Sequence, residues 1–349
     1  MKKRYSVAFF LFLLGGCAAP TLLGQFSEES LLDWSERSNQ AIREKKSLST
    51  RKAVRANAVV HVSMHDALVS AKRENAGPEF ERSAIRFAAA RALSSLFPER
   101  ADEWMKLAAT GGESGKSLGV AIADRVFART AFSEKEKTWL LESPEQFRPA
   151  PRHVAGIDWK GQFQELLRLR QNLSPEQKGI AEKWKSAPLS AVWGEVALDL
   201  IKKNSLDSLR TAEVLARLHA TVDDAFLAYT DTQETYRVPR PEQFALRENV
   251  SFTPLFSTPK QPSYPSGLST LSKAAATVLT EEFPAASPSL QALADETTWS
   301  RLYAGIHFPI DTLDGQTLGE KVAQFGLRKA AEREIIFPRA LIRLESGDQ

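Results

Sequence analysis

The chain has 349 residues, 43% of them hydrophobic, with 46 Lys and Arg, 43 Asp and Glu, and a single cysteine. That apolar share over that length can bury a sizeable core, which excludes an intrinsically disordered protein. The net charge of +3 is carried by Lys2, Lys3 and Arg4, so the rest of the chain is neutral and lacks the basic footprint of a nucleic-acid binder.

Residues 1–16 join that basic start to the apolar run Val7–Leu14, the pattern of a secretory signal too short to span a bilayer. The following Leu14-Gly15-Gly16-Cys17 resembles the bacterial lipoprotein box, in which the cysteine is lipidated and becomes the new N-terminus. Residues 17–29 are then a lipidated tether. Ala18 after the cysteine resembles lipoproteins sent to an outer membrane. The expected location is the bacterial cell envelope, lipid-anchored and facing the periplasm, with several acyl chains because one alone binds only marginally. The alternative is an ordinary signal peptide cut near Ala18 or Ala19. With Cys17 alone, no internal disulfide can form.

Residues 30–158 read as an N-terminal helical part. Ser30–Lys45 is amphipathic, and Thr50–Arg73 repeats apolar positions at Val54, Ala58, Val62 and Leu68 with a helical period. His61 and His65 lie four apart, but Val62 stands where a metalloprotease helix needs Glu, which makes both core histidines. Helices are expected at Arg82–Phe97, Ala101–Ala109 and Glu113–Thr130. Between the last two, Thr110–Ser117 lacks the opening glycine and preceding strand of a phosphate-binding loop and reads as a glycine-rich turn. Residues 131–158, with Pro144, Pro149 and Pro151, read as an exposed connection and boundary on which His153 has no role.

Residues 159–349 form the C-terminal helical part of what is expected to be one structural unit. The pattern predicts helices at Trp159–Gln171, Ser174–Lys185, Ser190–Lys203 and Ser208–Tyr229, with His219 buried mid-helix. Six prolines make 238–266 irregular, and loops of that length in compact domains are usually functional or disordered. Helices Leu268–Glu282 and Gln316–Arg333 complete the chain. No alternating strand pattern is present, so the fold class is all-α.

Two clusters in 262–323 carry oxyanion chemistry. Pro265-Ser266-Gly267 places a hydroxyl and a glycine amide at the start of a helix, a ready anion site. Ser300-Arg301 is followed by His307 and Asp311. The latter pair, four apart, is expected on one helical face, with the carboxylate fixing the imidazole tautomer. Arg301 adds a planar cationic fork that matches tetrahedral oxyanions.

These motifs resemble those of the superfamily that unites type 2 phosphatidic acid phosphatases with vanadium-dependent haloperoxidases. The family pattern is Lys-x6-Arg-Pro, then Pro-Ser-Gly-His, then Ser-Arg-x5-His-x3-Asp. The third is met at every position. The first keeps Arg240-Pro241 but has Gln233 in place of Lys, and the second has Leu268 in place of His. Arg55–Ala67, Val192–Ile201 and Leu209–Phe226 resemble the bacterial haloperoxidase-like branch, implying a helical bundle of that type. The resemblance makes His307 either the nucleophile toward phosphorus or the axial ligand of vanadium, with Asp311 as its orienter. Arg240, Arg301, Ser266, Gly267 and Gln233 would hold the equatorial oxygens of phosphate or of a vanadate cofactor. The family's second-motif histidine supplies a proton that Leu268 cannot, leaving Tyr264 or water to replace it. The expected functions are a vanadium haloperoxidase or a phosphomonoester hydrolase, either with impaired turnover, or a non-catalytic oxyanion-binding scaffold.

Overall fold

The computed structural model describes residues 31–130 and 137–332, so Cys17, the leader and the tether lie outside it. Fourteen α-helices and no strand occur among the described residues. The first five are α1 (Leu31–Glu44), α2 (Thr50–Arg73), α3 (Pro78–Leu96), α4 (Ala101–Ala109) and α5 (Lys116–Thr130). After a short α6 (Pro151–Ala155) come α7 (Trp159–Arg170), α8 (Pro175–Lys183), α9 (Leu189–Lys203) and the long α10 (Ser208–Tyr236). The C-terminal set is α11 (Pro241–Arg247), α12 (Gly267–Glu282), α13 (Ser287–Ala304) and α14 (Pro309–Ala331).

Two helices form the centre. α2 begins at Ser49, whose side chain accepts from the Lys52 amide, and is buried from Ala53 to Ala71 because its small and β-branched side chains let α3, α5 and α10 close around it. α10 continues seven residues beyond Tyr229, which places Gln233 on the helix. It packs against α12, which in turn is covered by α13 and α14. α14 approaches α12 so closely that a Cβ at Gly319 would fall 2.1 Å from the Thr270 carbonyl oxygen, so only glycine fits. One apolar core runs from Leu31 to Ala330 and takes side chains from both halves of the chain.

The expected exposed connection is not exposed throughout. Trp139, Leu140 and Leu141 are buried, and their three amides donate to the Asp224 carboxylate at 2.7–2.9 Å. Asp223 beside it accepts from Trp139 Nε1 and pairs with Arg51 and Arg55. Further along, Arg148 pairs with Asp231, and Tyr236 donates to the Pro149 carbonyl. Periodicity cannot reveal this segment because aspartates strap it to α10. Pro241 starts a short helix inside the segment read as irregular, and Pro309 starts α14 seven residues ahead of the expected Gln316, both at a helical position where proline is preferred.

His61 and His219 stack in the core between α2 and α10, with ring centroids 4.2 Å apart and an interplanar angle of 27°. Burial holds His61 down to about 4, against a hydrogen bond to the Asn57 carbonyl, and holds His219 well below its ordinary value. The unfolded chain therefore binds a proton at each site that the native chain refuses, so this part of the stability is present above pH 6.5 and is lost as pH falls toward 4. Urea unfolding at pH 7 and pH 5 should show that His61→Phe loses about 2 kcal/mol less over that interval than the native sequence, by about 1.4 kcal/mol per pH unit. Equal losses would place the His61 charge outside the native core.

Candidate oxyanion site

α13 stops at Gly305, which adopts φ +75°, and the Ile306 amide closes back on the Arg301 carbonyl at 3.3 Å. Arg170 of α7 locks this turn by donating to the Tyr303 and Thr253 carbonyls, and its guanidinium fills the space a Cβ at Gly305 would need. Pro309 then opens α14, with Asp311 three positions in. His307 and Asp311 are thus not on one helical face. The histidine sits in the turn before α14, and the carboxylate reaches back over the helix start to accept from the Phe308 amide at 2.9 Å. The four-residue spacing brings them together through helix capping.

His307 Nδ1 lies 3.2 Å from Asp311 Oδ2, and His307 Nε2 lies 2.8 Å from Arg240 Nη1. A guanidinium only donates, so Nε2 is the acceptor and Nδ1 carries the hydrogen toward Asp311. Burial, then Arg240 and Arg301, push the imidazole well below its ordinary value, leaving it neutral with its lone pair on Nε2. Asp311 is held by Ser263 Oγ at 2.5 Å as well as by the Phe308 amide, and burial pushes its carboxyl up to about 7.

Arg240 precedes α11 and is fixed by the carbonyls of Gln261 at 2.8 Å and Ile306 at 2.9 Å. Arg301 lies on the last turn of α13, where its Nε donates to Ser300 Oγ at 2.9 Å. Its Nη2 is buried and has no hydrogen-bond partner among the described residues. Both guanidinium groups are pushed down to about 10, chiefly by burial, and Arg301 further by Arg240. Two buried cations, one with an unsatisfied N–H, can serve as the donor set of an anion site.

Ser266 caps α12. Its Oγ accepts from Ser269 Oγ at 2.9 Å and leaves its own hydrogen to donate, while its amide donates to the Asp311 carbonyl. Gly267 is the first residue of α12, and a Cβ there would fall 2.8 Å from Cζ of Tyr229. Gln233 Nε2 donates to the Pro265 carbonyl at 2.9 Å, which commits the amide to the loop. Leu268 packs into the main core.

Tyr264 does not serve the site as a proton donor. Its hydroxyl is committed to Asp314 Oδ2 at 2.6 Å, where the exposed His153 also binds through Nε2 at 2.6 Å. The sequence reading missed Ser263, Tyr229 and this contact of His153. Tyr229 stands one helical turn before Gln233, a spacing that would have placed it on the same face of α10. Among the described residues, no group of three or more His, Cys, Asp or Glu could hold a metal ion, and His61 and His65 are core residues.

Residues 225–333, which span Arg240, Ser266, Arg301, His307 and Asp311, match the PAP2 superfamily. That match covers about a third of the chain, in its C-terminal part. In fold the chain is similar to a bacterial vanadium-dependent iodoperoxidase at 20% identity, with a TM-score of 0.69 over 86% of this chain and 95% of that one. It is also similar to the vanadium-loaded form of a bacterial vanadium-dependent chloroperoxidase at 13% identity, with a TM-score of 0.72 over 90% of this chain and all of that one. The vanadium-free form of such a chloroperoxidase gives a TM-score of 0.69 at 13% identity over 82% of this chain and 95% of that one. No curated relative matches the chain in sequence. Among the described residues, no helix is long and apolar enough to cross a membrane.

A buried cation with an orphaned donor costs stability until an anion meets it. Arg301→Met should therefore raise the stability of the phosphate-free protein by about 1 kcal/mol, and it should remove the stabilisation that added phosphate gives the native sequence. Urea unfolding with and without phosphate measures both. A less stable variant that still responds to phosphate would make Arg301 a structural residue.

Proposed function

We propose that this protein is an oxyanion-binding enzyme of the haloperoxidase and phosphatase kind, held at the bacterial outer membrane by a lipid on Cys17 and working on the periplasmic side. The observation that carries this reading is the neutral Nε2 lone pair of His307 set beside two buried guanidinium groups. A tetrahedral oxyanion would meet there both a nucleophile or ligand and the charge that offsets its own.

The donor set fits vanadate. Arg240 and Arg301, the Ser266 hydroxyl and the Gly267 amide would hold its oxygens, Gln233 would lend a neutral side chain nearby, and His307 would bind it through Nε2. Vanadate, when bound, supplies the Lewis acidity that activates peroxide toward a halide. In its absence the same residues suit a phosphomonoester, with His307 attacking phosphorus. Asp311 keeps the Nδ1 hydrogen in place in either case, and Ser263 keeps Asp311 in place.

Turnover is expected to be lower than the cradle alone would permit. Leu268 has no proton to give, and a positioned acid contributes ~10² to 10⁴ in rate. Gln233 replaces a charge-assisted donor, worth roughly 1.5–3 kcal/mol, by a neutral one worth about 1 kcal/mol that the Pro265 carbonyl already occupies. Binding is therefore less damaged than catalysis.

Calorimetric titration of the mature protein with orthovanadate should show binding that weakens at least tenfold in His307→Ala, with bromide oxidation and phosphate-ester hydrolysis measured on the same samples. Absence of vanadate and phosphate binding in the native sequence would leave a scaffold role in place of this reading.

A further inference from the structure

We propose that Tyr229 is the proton-bearing group of this site, standing on α10 in the place that Leu268 leaves without one. The inference rests on the oxyanion reading above and adds the acid that reading lacks. Tyr229 lies against the first residue of α12. The position a Cβ would take on Gly267 is 2.8 Å from its Cζ, 2.9 Å from Cε2 and 3.2 Å from Cε1. The carbon bearing the hydroxyl is the nearest of these atoms, so the phenol end of the ring abuts the first residue of α12. The ring is fixed from behind by Phe226, whose centroid is 4.8 Å away in an edge-on contact. Tyr229 and Arg240 also act on one another electrostatically, which places the phenol within the field of the guanidinium that contacts His307.

Chemistry agrees with the placement. Burial holds the phenol above its ordinary value, with Thr230, Arg51 and Arg240 opposing, so it stays protonated throughout the neutral range. A phenol of that kind protonates an alkoxide or phenoxide leaving group and is of little use to one that departs unaided. For a phosphomonoester, the His307 Nε2 lone pair forms a bond to phosphorus as the bond to the leaving oxygen breaks. The Tyr229 hydroxyl proton passes to that oxygen, which leaves as the alcohol. Water then attacks phosphorus, one of its protons restores the phenol, the other stays on the departing phosphate, and the electron pair of the nitrogen–phosphorus bond returns to Nε2.

The test compares the native sequence, Tyr229→Phe and Gly267→Ala in orthophosphate titration and in hydrolysis of phenyl phosphate and p-nitrophenyl phosphate. Tyr229→Phe should lower kcat on phenyl phosphate by roughly 10²-fold or more while changing p-nitrophenyl phosphate far less. Gly267→Ala keeps the amide and displaces the ring, and should show the same split even if Tyr229→Phe does not fold. Equal losses on the two esters, no loss on either, or a native protein that binds orthophosphate and hydrolyses neither ester would overturn the assignment. A native protein that binds no orthophosphate would instead overturn the oxyanion reading on which it rests.

Discussion

The structure depends on keeping one imidazole neutral among cations. His307 is almost fully buried beside Arg240 and close enough to Arg301 to feel its charge, so protonating it would place a third positive charge in a site that water barely reaches. The fold meets that constraint with geometry. The turn between α13 and α14 points Nε2 at Arg240, and the cap of α14 aims the Asp311 carboxylate at Nδ1. Arg170 locks the turn from outside, and Ser263 and the Ser266 amide tie Asp311 to the loop that begins α12. Each contact fixes the direction of one lone pair.

On the proposed reading, the same arrangement lets the site keep its anion donors without help from Gln233 or Leu268. The guanidinium groups are set by main-chain carbonyls and by Ser300, none of which depends on Gln233 or Leu268. Replacing the lysine and histidine of the family pattern thus leaves two buried cations, one with an unsatisfied donor, and a helix start. Proton supply is not protected in this way. On that reading it needs a titratable group near the start of α12, where the chain has Leu268 and where the Tyr229 ring of α10 abuts Gly267.

Much of this was legible in the sequence. Thr50–Arg73 matches α2 to the residue because apolar spacing sets a helix that is buried on all sides. Ser300, Arg301, His307 and Asp311 stood out as a candidate site because those side chains at those intervals have few structural uses together, and the structure brings His307 against Asp311 and Arg301 against Ser300. The failures share a physical cause. The His307–Asp311 spacing suggested a helical face, but glycine at 305 and proline at 309 break the helix between them, and capping produces the contact instead. Tyr264 suited the part of the missing acid by proximity in sequence, yet its hydroxyl donates to Asp314, a partner 50 residues distant that also binds His153. Trp139 and its neighbours looked exposed because burial there comes from hydrogen bonds to Asp223 and Asp224, which hydrophobic periodicity does not register.

The most direct test of the central claim is nitrogen-15 NMR of the five histidine rings in the mature protein at pH 6, before and after addition of orthovanadate. The account predicts that His307, assigned by its loss in His307→Ala, is neutral with hydrogen on Nδ1, and that vanadate moves its Nε2 resonance most. An imidazolium at pH 6, or hydrogen on Nε2, would contradict it, because the lone pair on which the site is built would then be absent.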